Sequence, residues 1–242
     1  MSGSSEGCTR CGTCCRKGGP VLHGQDRGLF TPGPDKARTL DTSQVLTLRQ
    51  GEMVLDPVSG EVVRLKAEAV KIKGRTAADW TCRFFLDQDN TCGLYGQHPL
   101  QCRVLDCRDT SALAAVYQND RLSRRDVLPE GHALLDLVDM HERLAPAGRA
   151  VDLALRLAAH FAQIGASGQA APEEQAELTS ILARILASDR DLRRLAVERA
   201  GLDPEDLDFL FGRSLAEVLA PIAAQSRGPF DCQEHSTCNK DE

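Results

Sequence analysis

The chain predicts an α+β fold in two parts, a small cysteine-rich module of short strands and loops over residues 1–118 and an acidic α-helical module over residues 119–242. Three observations carry this reading. Cys8, Cys11, Cys14, Cys15, Cys82, Cys92, Cys102 and Cys107 crowd the first part, and Arg108 to Asp231 contains no cysteine. Apolar residues follow strand spacing between turn signals in the first part and helical spacing in the second. The charge balance shifts with them: 15 basic and 13 acidic residues lie in 1–118, against 14 and 22 in 119–242.

Taken in order, the opening run Cys8-Thr-Arg-Cys11-Gly-Thr-Cys14-Cys15 is a tight loop in which Gly12 relieves crowding where the backbone curls. Gly18 to Pro34 is rich in glycine and proline and predicts a winding loop. Val45–Leu48 is β-branched and alternating, and Glu52–Leu55 and Glu61–Leu65 flank Asp56-Pro57-Val58-Ser59-Gly60, a good hairpin turn. Trp80–Leu86 and Thr91–Tyr95 flank Asp87-Gln88-Asp89-Asn90, a second hairpin. Helices follow over Gly131–Leu144 and Gly148–Ile164, punctuated by Pro146 and Gly165. Pro172–Ala187 predicts another, after which Ser188 caps a further helix that carries Asp191 at its third position and ends before Gly201. Asp203-Pro204 is an N-cap followed by proline at the first helical position, and Ser214–Gln225 closes the module with Pro221 bending or ending it. No internal repeat or low-complexity tract interrupts this order.

Composition excludes several function classes. A chain of 242 residues with 42% hydrophobic side chains builds a packed core and is not disordered. No stretch approaches the roughly 20 apolar residues that span a bilayer, and the polar start MSGSSEG is no export signal. A net charge of −6 has the wrong sign for wrapping nucleic acid. The expectation is a cytoplasmic protein without nucleic-acid or membrane partners.

In a reducing compartment, clustered thiols are metal ligands or redox groups more often than disulfides. The first run is C-x2-C-x2-C-C, whose spacing lets one loop turn several thiolates toward a common centre. Arg10, Arg16 and Lys17 beside it favour thiolate over thiol. Its first three cysteines match the start of the bacterial ferredoxin run, but Gly18-Gly19-Pro20 follows without a fourth, so further ligands come from afar. Cys82-x9-Cys92-x9-Cys102-x4-Cys107 supplies them. On the predicted hairpin residue 82 pairs with 95 and residue 92 with 85. That register puts Cys82 and Cys92 on opposite faces about 10 Å apart. They then serve different centres, unless a bulge at Gly93 brings them together.

With these motifs in view, the sequence resembles the YkgJ-type cysteine-cluster family, described as zinc- or iron-chelating and related to the cysteine region of flagellin lysine N-methylases. The resemblance rests on Cys8-x2-Cys11-Gly12-x-Cys14-Cys15, Cys82-Arg-Phe-Phe-Leu86, Cys92-Gly-Leu-Tyr95 and His98-Pro99-Leu-Gln-Cys102-Arg103-x3-Cys107. It covers residues 8–108 and does not reach the helical half. His98 stands where the family pattern has arginine, a departure that removes no ligand.

The site reading is therefore a metal centre with Cys8, Cys11, Cys14, Cys82, Cys92, Cys102 and Cys107 as ligands and Cys15 as a ligand or a neighbouring thiol. Zinc sites usually pair two C-x2-C knuckles, whereas iron–sulfur clusters take a compact triplet plus a distant cysteine. An iron–sulfur cluster is preferred, with zinc as the alternative. Cys232-x2-His235-x2-Cys238 could fold back as added ligands or stay a mobile terminus. Trp80, Phe84 and Phe85 would shield a centre from water or simply form the core of the module. Arg83 and Arg103 either meet cluster sulfurs, bind an anionic partner or pair at the surface. His132, Asp136 and Asp139 read as the solvated side of a helix, and Arg124-Arg125 and Arg193-Arg194 as surface charges.

Three functions fit. An iron–sulfur module would transfer electrons or handle metal. A zinc-stapled interaction protein would dock a basic partner through its acidic helices. An enzyme of flagellin lysine N-methylase type rests on the resemblance alone, since the chain has no G-x-G-x-x-G and Gly18 stands where the radical C-x3-C-x2-C pattern needs its third cysteine.

Overall fold

The computed structural model describes residues 10–33, 38–167 and 172–226. Cys8, Cys232, His235 and Cys238 lie outside the described residues. Strands are confined to the N-terminal part and helices dominate the C-terminal part, as an α+β fold requires. Among the described residues no helix is long and apolar enough to cross a membrane.

The N-terminal part begins with a one-turn helix, α1 (Thr13–Lys17). The expected loop after it contains a 3-10 helix over Gly24–Phe30, which His23 and Asp26 close as a reciprocal cap. Strand β1 (Val45–Leu48) lies where its β-branched pattern puts it. Next comes the hairpin β2 (Met53–Leu55) and β3 (Val62–Arg64). Asp56 forms its turn, with Oδ1 accepting from Val58 N at 2.8 Å and Ser59 N at 3.3 Å. The partner of β1 is β4 (Ala69–Ile72), a strand without a turn signal, which pairs antiparallel with Val45 opposite Ile72. Both faces of β1 are covered, because Val45, Leu46 and Thr47 are all buried.

On the far edge of β4 three segments close a ring of backbone hydrogen bonds. Leu22 N donates to Val70 O, Val70 N to Leu122 O and Leu122 N to Leu22 O, at 2.8, 2.8 and 2.9 Å. The second hairpin is shorter than its alternation predicts: β5 (Phe85–Leu86) and β6 (Thr91–Cys92) pair Phe85 with Cys92 and Leu86 with Thr91 across the turn Asp87–Asn90. Short helices α2 (Leu100–Val104), α3 (Ser111–Tyr117) and α4 (Arg124–Val127) follow where the sequence predicts no helix.

The helical part contains α5 (Ala133–Leu144), α6 (Ala147–Ser167), α7 (Pro172–Ala200), α8 (Leu207–Phe211) and α9 (Leu215–Ser226). The expected break at Ser188 does not occur, and α7 runs through it unbroken. Its neighbour Asp189 is buried and accepts from His141 Nε2 at 2.8 Å, from Arg193 Nε at 3.2 Å and from Leu215 N at 2.9 Å. Those bonds to α5 and α9 outweigh a serine's weak preference for a cap. Pro221 lies inside α9 without ending it, and Val218, Leu219 and Ile222 around it are buried against α6 and α7.

One apolar core spans the expected boundary. Val45, Val70, Ile72, Phe84 and Phe85 pack in the same cluster as Leu122, Val138 and Phe209–Phe211. A second core joins α6, α7 and α9. A buried ionic network ties the same parts together. Arg49, 1% exposed, grips Glu142 through Nε and Nη2, both at 2.9 Å. Arg124, 2% exposed, reaches Glu142 at 2.8 Å, Glu68 through Nε at 3.1 Å and Leu210 O at 2.7 Å. Arg124 is thus no surface charge, and Arg193 is largely enclosed by its bonds to Asp189 and Gly212 O. Arg125 and Arg194 are exposed as expected. So is the polar side of α5, where His132 accepts from Leu134 N at the cap.

Candidate metal centre

The thiols converge because four segments are sewn together by backbone. Gly12 opens α1 at φ 76°, and Arg16 N donates back to Gly12 O at 2.9 Å. The Arg16 guanidinium lies over the Phe85 ring at 4.7 Å and reaches Asn90 Oδ1 at 3.0 Å, seating the cysteine run on the β5–β6 hairpin. Cys15 O then accepts from Cys82 N at 2.8 Å, which places the first run directly beside the second set. Phe85 N donates to Cys82 O at 2.9 Å, so Cys82 begins a turn into β5. Cys92 faces Phe85 across the hairpin, and its sulfur accepts from Leu94 N at 3.4 Å. Cys102 comes from α2, and Cys107 from the segment just after it.

These thiols feel one another. Cys14 Sγ and Cys15 Sγ are 4.0 Å apart. The hydrogen bond from Cys15 draws the Cys14 thiol down to about 6 against the opposing effect of burial, and Cys107 adds a further bond. Cys15 is pushed up, first because its proton is shared with Cys14, then by burial and by the charges of Cys14, Cys102 and Cys82. Burial raises Cys82, and the charge of Cys92 adds to it. Burial raises Cys102 strongly, followed by Cys82, Cys92, Cys14 and Asp26. Lys71 is pulled down to about 8 by burial, while the charges of Cys82 and Cys102 resist that shift. Its ammonium donates to Gly19 O.

Six described thiols therefore share one neighbourhood: Cys14, Cys15, Cys82, Cys92, Cys102 and Cys107. Crowded soft donors that repel one another as anions suit a thiophilic cation, which would stabilise the thiolates together. That chemistry fits zinc and iron alike. The thiols are gathered rather than already ligated: among the described residues no three Cys, His, Asp or Glu side chains surround one point as ligands do. Cys14, Cys15, Cys82 and Cys102 form no disulfide. Cys11 is exposed, and its thiol donates to Thr13 Oγ1 at 3.3 Å.

Several expectations need correction. Cys82 and Cys92 were expected on opposite faces of a long hairpin and in different centres. Residue 82 instead bridges Gly74, and the turn at Cys82–Phe85 brings its thiol within reach of the charge on Cys92. The Gly93 bulge is not used, because Gly93 N makes an ordinary rung to Phe84 O at 2.7 Å. Phe84 and Phe85 are buried beside Cys82, whereas Trp80 is 44% exposed, under the Arg213 guanidinium, and shields nothing. For Arg83 and Arg103 the pairing alternative holds and needs no correction: Arg83 bonds Ser43 O at 2.9 Å and Arg103 bonds Gln25 Oε1 at 3.2 Å. Lys71, Asp26, His23 and Gln101 were not foreseen. Only Gln101 carried a signal, as part of the motif around Cys102.

No curated protein and no solved structure matches the chain. A family model described as "putative zinc- or iron-chelating domain" matches residues 7–117, the segment that carries all eight cysteines of the two sets. That segment, in which the fold gathers six thiols, matches the model of the CxxCxxCC family, whose description is zinc or iron chelation.

Proposed function

We propose that the chain is a thiolate metal protein that holds an iron–sulfur cluster and serves in electron transfer or metal handling. The observation that carries the reading is the meeting of Cys14, Cys15, Cys82, Cys92, Cys102 and Cys107 from four segments far apart in sequence. Cys8, Cys11, Cys14, Cys82, Cys92, Cys102 and Cys107 would supply ligands, with Cys15 a ligand or the thiol beside them. A bound cluster supplies one-electron redox chemistry. The protein's part is to pre-gather the donors, to exclude water with Phe84 and Phe85, and to offset thiolate charge with Lys71.

Zinc is favoured by one separate observation. Cys82, Phe84 and Phe85 share a core with Phe209–Phe211, so a metal there would staple both parts of the fold together. Anaerobic purification followed by metal and sulfide analysis separates the two. Iron with acid-labile sulfide and broad absorption near roughly 400 nm supports the cluster. Stoichiometric zinc in a colourless protein supports the staple, and a chain that takes up neither metal sinks both readings.

A further inference from the structure

Helix α2, which presents Cys102, spans only Leu100–Val104. A single turn has no stability of its own, so something outside the helix must fix it. The fixing groups are polar and buried: His23 and Asp26 are each 1% exposed and Gln101 is 8% exposed. Asp26 Oδ1 accepts from Leu100 N at 2.8 Å, so a carboxylate 74 positions upstream caps the turn. Asp26 Oδ2 accepts from His23 N at 2.9 Å. Gln101 Oε1 accepts from Val21 N at 3.1 Å, and Gln101 Nε2 faces His23 Nε2 at 3.0 Å.

An amide nitrogen only donates, so His23 Nε2 accepts and the ring proton is on Nδ1. That nitrogen faces Asn119 O at 2.7 Å. Turning the amide over would set its NH2 against the Val21 N–H and its oxygen against an unprotonated ring nitrogen. Every polar atom then has one consistent partner. Burying three such side chains is costly unless all their bonds are made, and apolar residues would pack as well. What the polar set adds is direction, because it fixes Leu100 and Gln101, the two residues that lead into Cys102.

We infer that His23, Asp26 and Gln101 form a buried bracket that aims Cys102 at the other thiols, with Asp26 and Gln101 as positioning residues. The inference rests on Cys102 being a ligand, and its test is built to fail separately from that reading. The full chain is prepared as Gln101→Met, as Asp26→Asn and, as a packing control, as Thr47→Val. Thr47 is equally buried and donates to Phe209 O at 2.6 Å, on a different edge of the core.

In chelator-stripped protein at fixed pH, iodoacetamide labelling of each cysteine is followed by peptide mass spectrometry. Gln101→Met should raise the labelling rate of Cys102 by about tenfold through local opening and change Cys82 by less than about twofold. In a competition with a chromophoric chelator, zinc affinity should fall about 10–100-fold in Gln101→Met and stay near that of the parent in Thr47→Val. Asp26→Asn should reproduce the pattern and serves if Gln101→Met does not fold. Cys102 labelling that is unchanged, or that rises in parallel at every cysteine as in Thr47→Val, overturns the bracket. A parent chain that binds no zinc defeats the zinc alternative, and the labelling comparison still decides the bracket.

Discussion

Gly12 is held by two constraints at once. Its φ of 76° lies in the left-handed region, and a Cβ there would stand 2.5 Å from both Phe85 Cζ and Arg16 Nη1. Arg16 can swing away, but Phe85 is buried and cannot. Gly12→Ala should therefore cost about 1–3 kcal/mol from backbone strain, with the ring contact adding to it. The urea midpoint of the metal-free chain measures the loss, and an unchanged midpoint would mean the run is not seated on Phe85. At this scale the cysteines and Gly12 were legible because their residue types announce their chemistry. His23, Asp26 and Lys71 were not, since polar residues in a glycine-rich loop or on a short strand normally face water. Only the pairing of distant segments encloses them.

Among elements, the meeting of α5, α7 and α9 at Asp189 has a definite response to pH. His141 is buried, stacked on Phe211 at 4.4 Å, and bonded to Asp189. Burial holds its pKa below the ordinary value, with Arg49 and Arg193 adding to the effect and Asp189 opposing it. Its Nδ1 has no partner among the described residues, consistent with a neutral ring that donates from Nε2. Burial would raise Asp189, but the bond from His141, the charge of Arg193 and the Leu215 N–H together hold it down. Both groups bind protons more readily in the unfolded chain, so both add stability that is lost on acidification. The His141 part is complete above pH about 6.5 and falls away below it, and the Asp189 part is lost below about 4. Urea midpoints between pH 7.5 and 5 should show the first fall, and His141→Gln should flatten it. A midpoint that rises on acidification would contradict the buried neutral ring. The hairpins and helices here were readable from local turn and cap signals. The β1–β4 pairing and the unbroken α7 were not, because distant contacts decide them.

For the molecule as a whole, the apolar core and the network around Glu142 predict that the two compositional halves unfold together. Separate halves would let Cys11→Ser disturb residues 1–118 alone. The packing of Phe84 and Phe85 with Phe209–Phe211 predicts a single transition instead. Trp80, the only tryptophan, reports on the N-terminal part, and far-ultraviolet circular dichroism reports mainly on the helices. Their denaturation curves should coincide in both the parent and Cys11→Ser. Two separated midpoints would show that the halves fold independently.

The ring of Leu22, Val70 and Leu122 also orders events during synthesis. A chain made from its N-terminus exposes every thiol of the two cysteine sets before Leu122 arrives to close the ring, and long before Phe209–Phe211 join the core. Both cysteine sets are thus complete on the growing chain before the residues that enclose Cys82 exist, whereas Cys11 and Cys107 stay exposed in the finished fold.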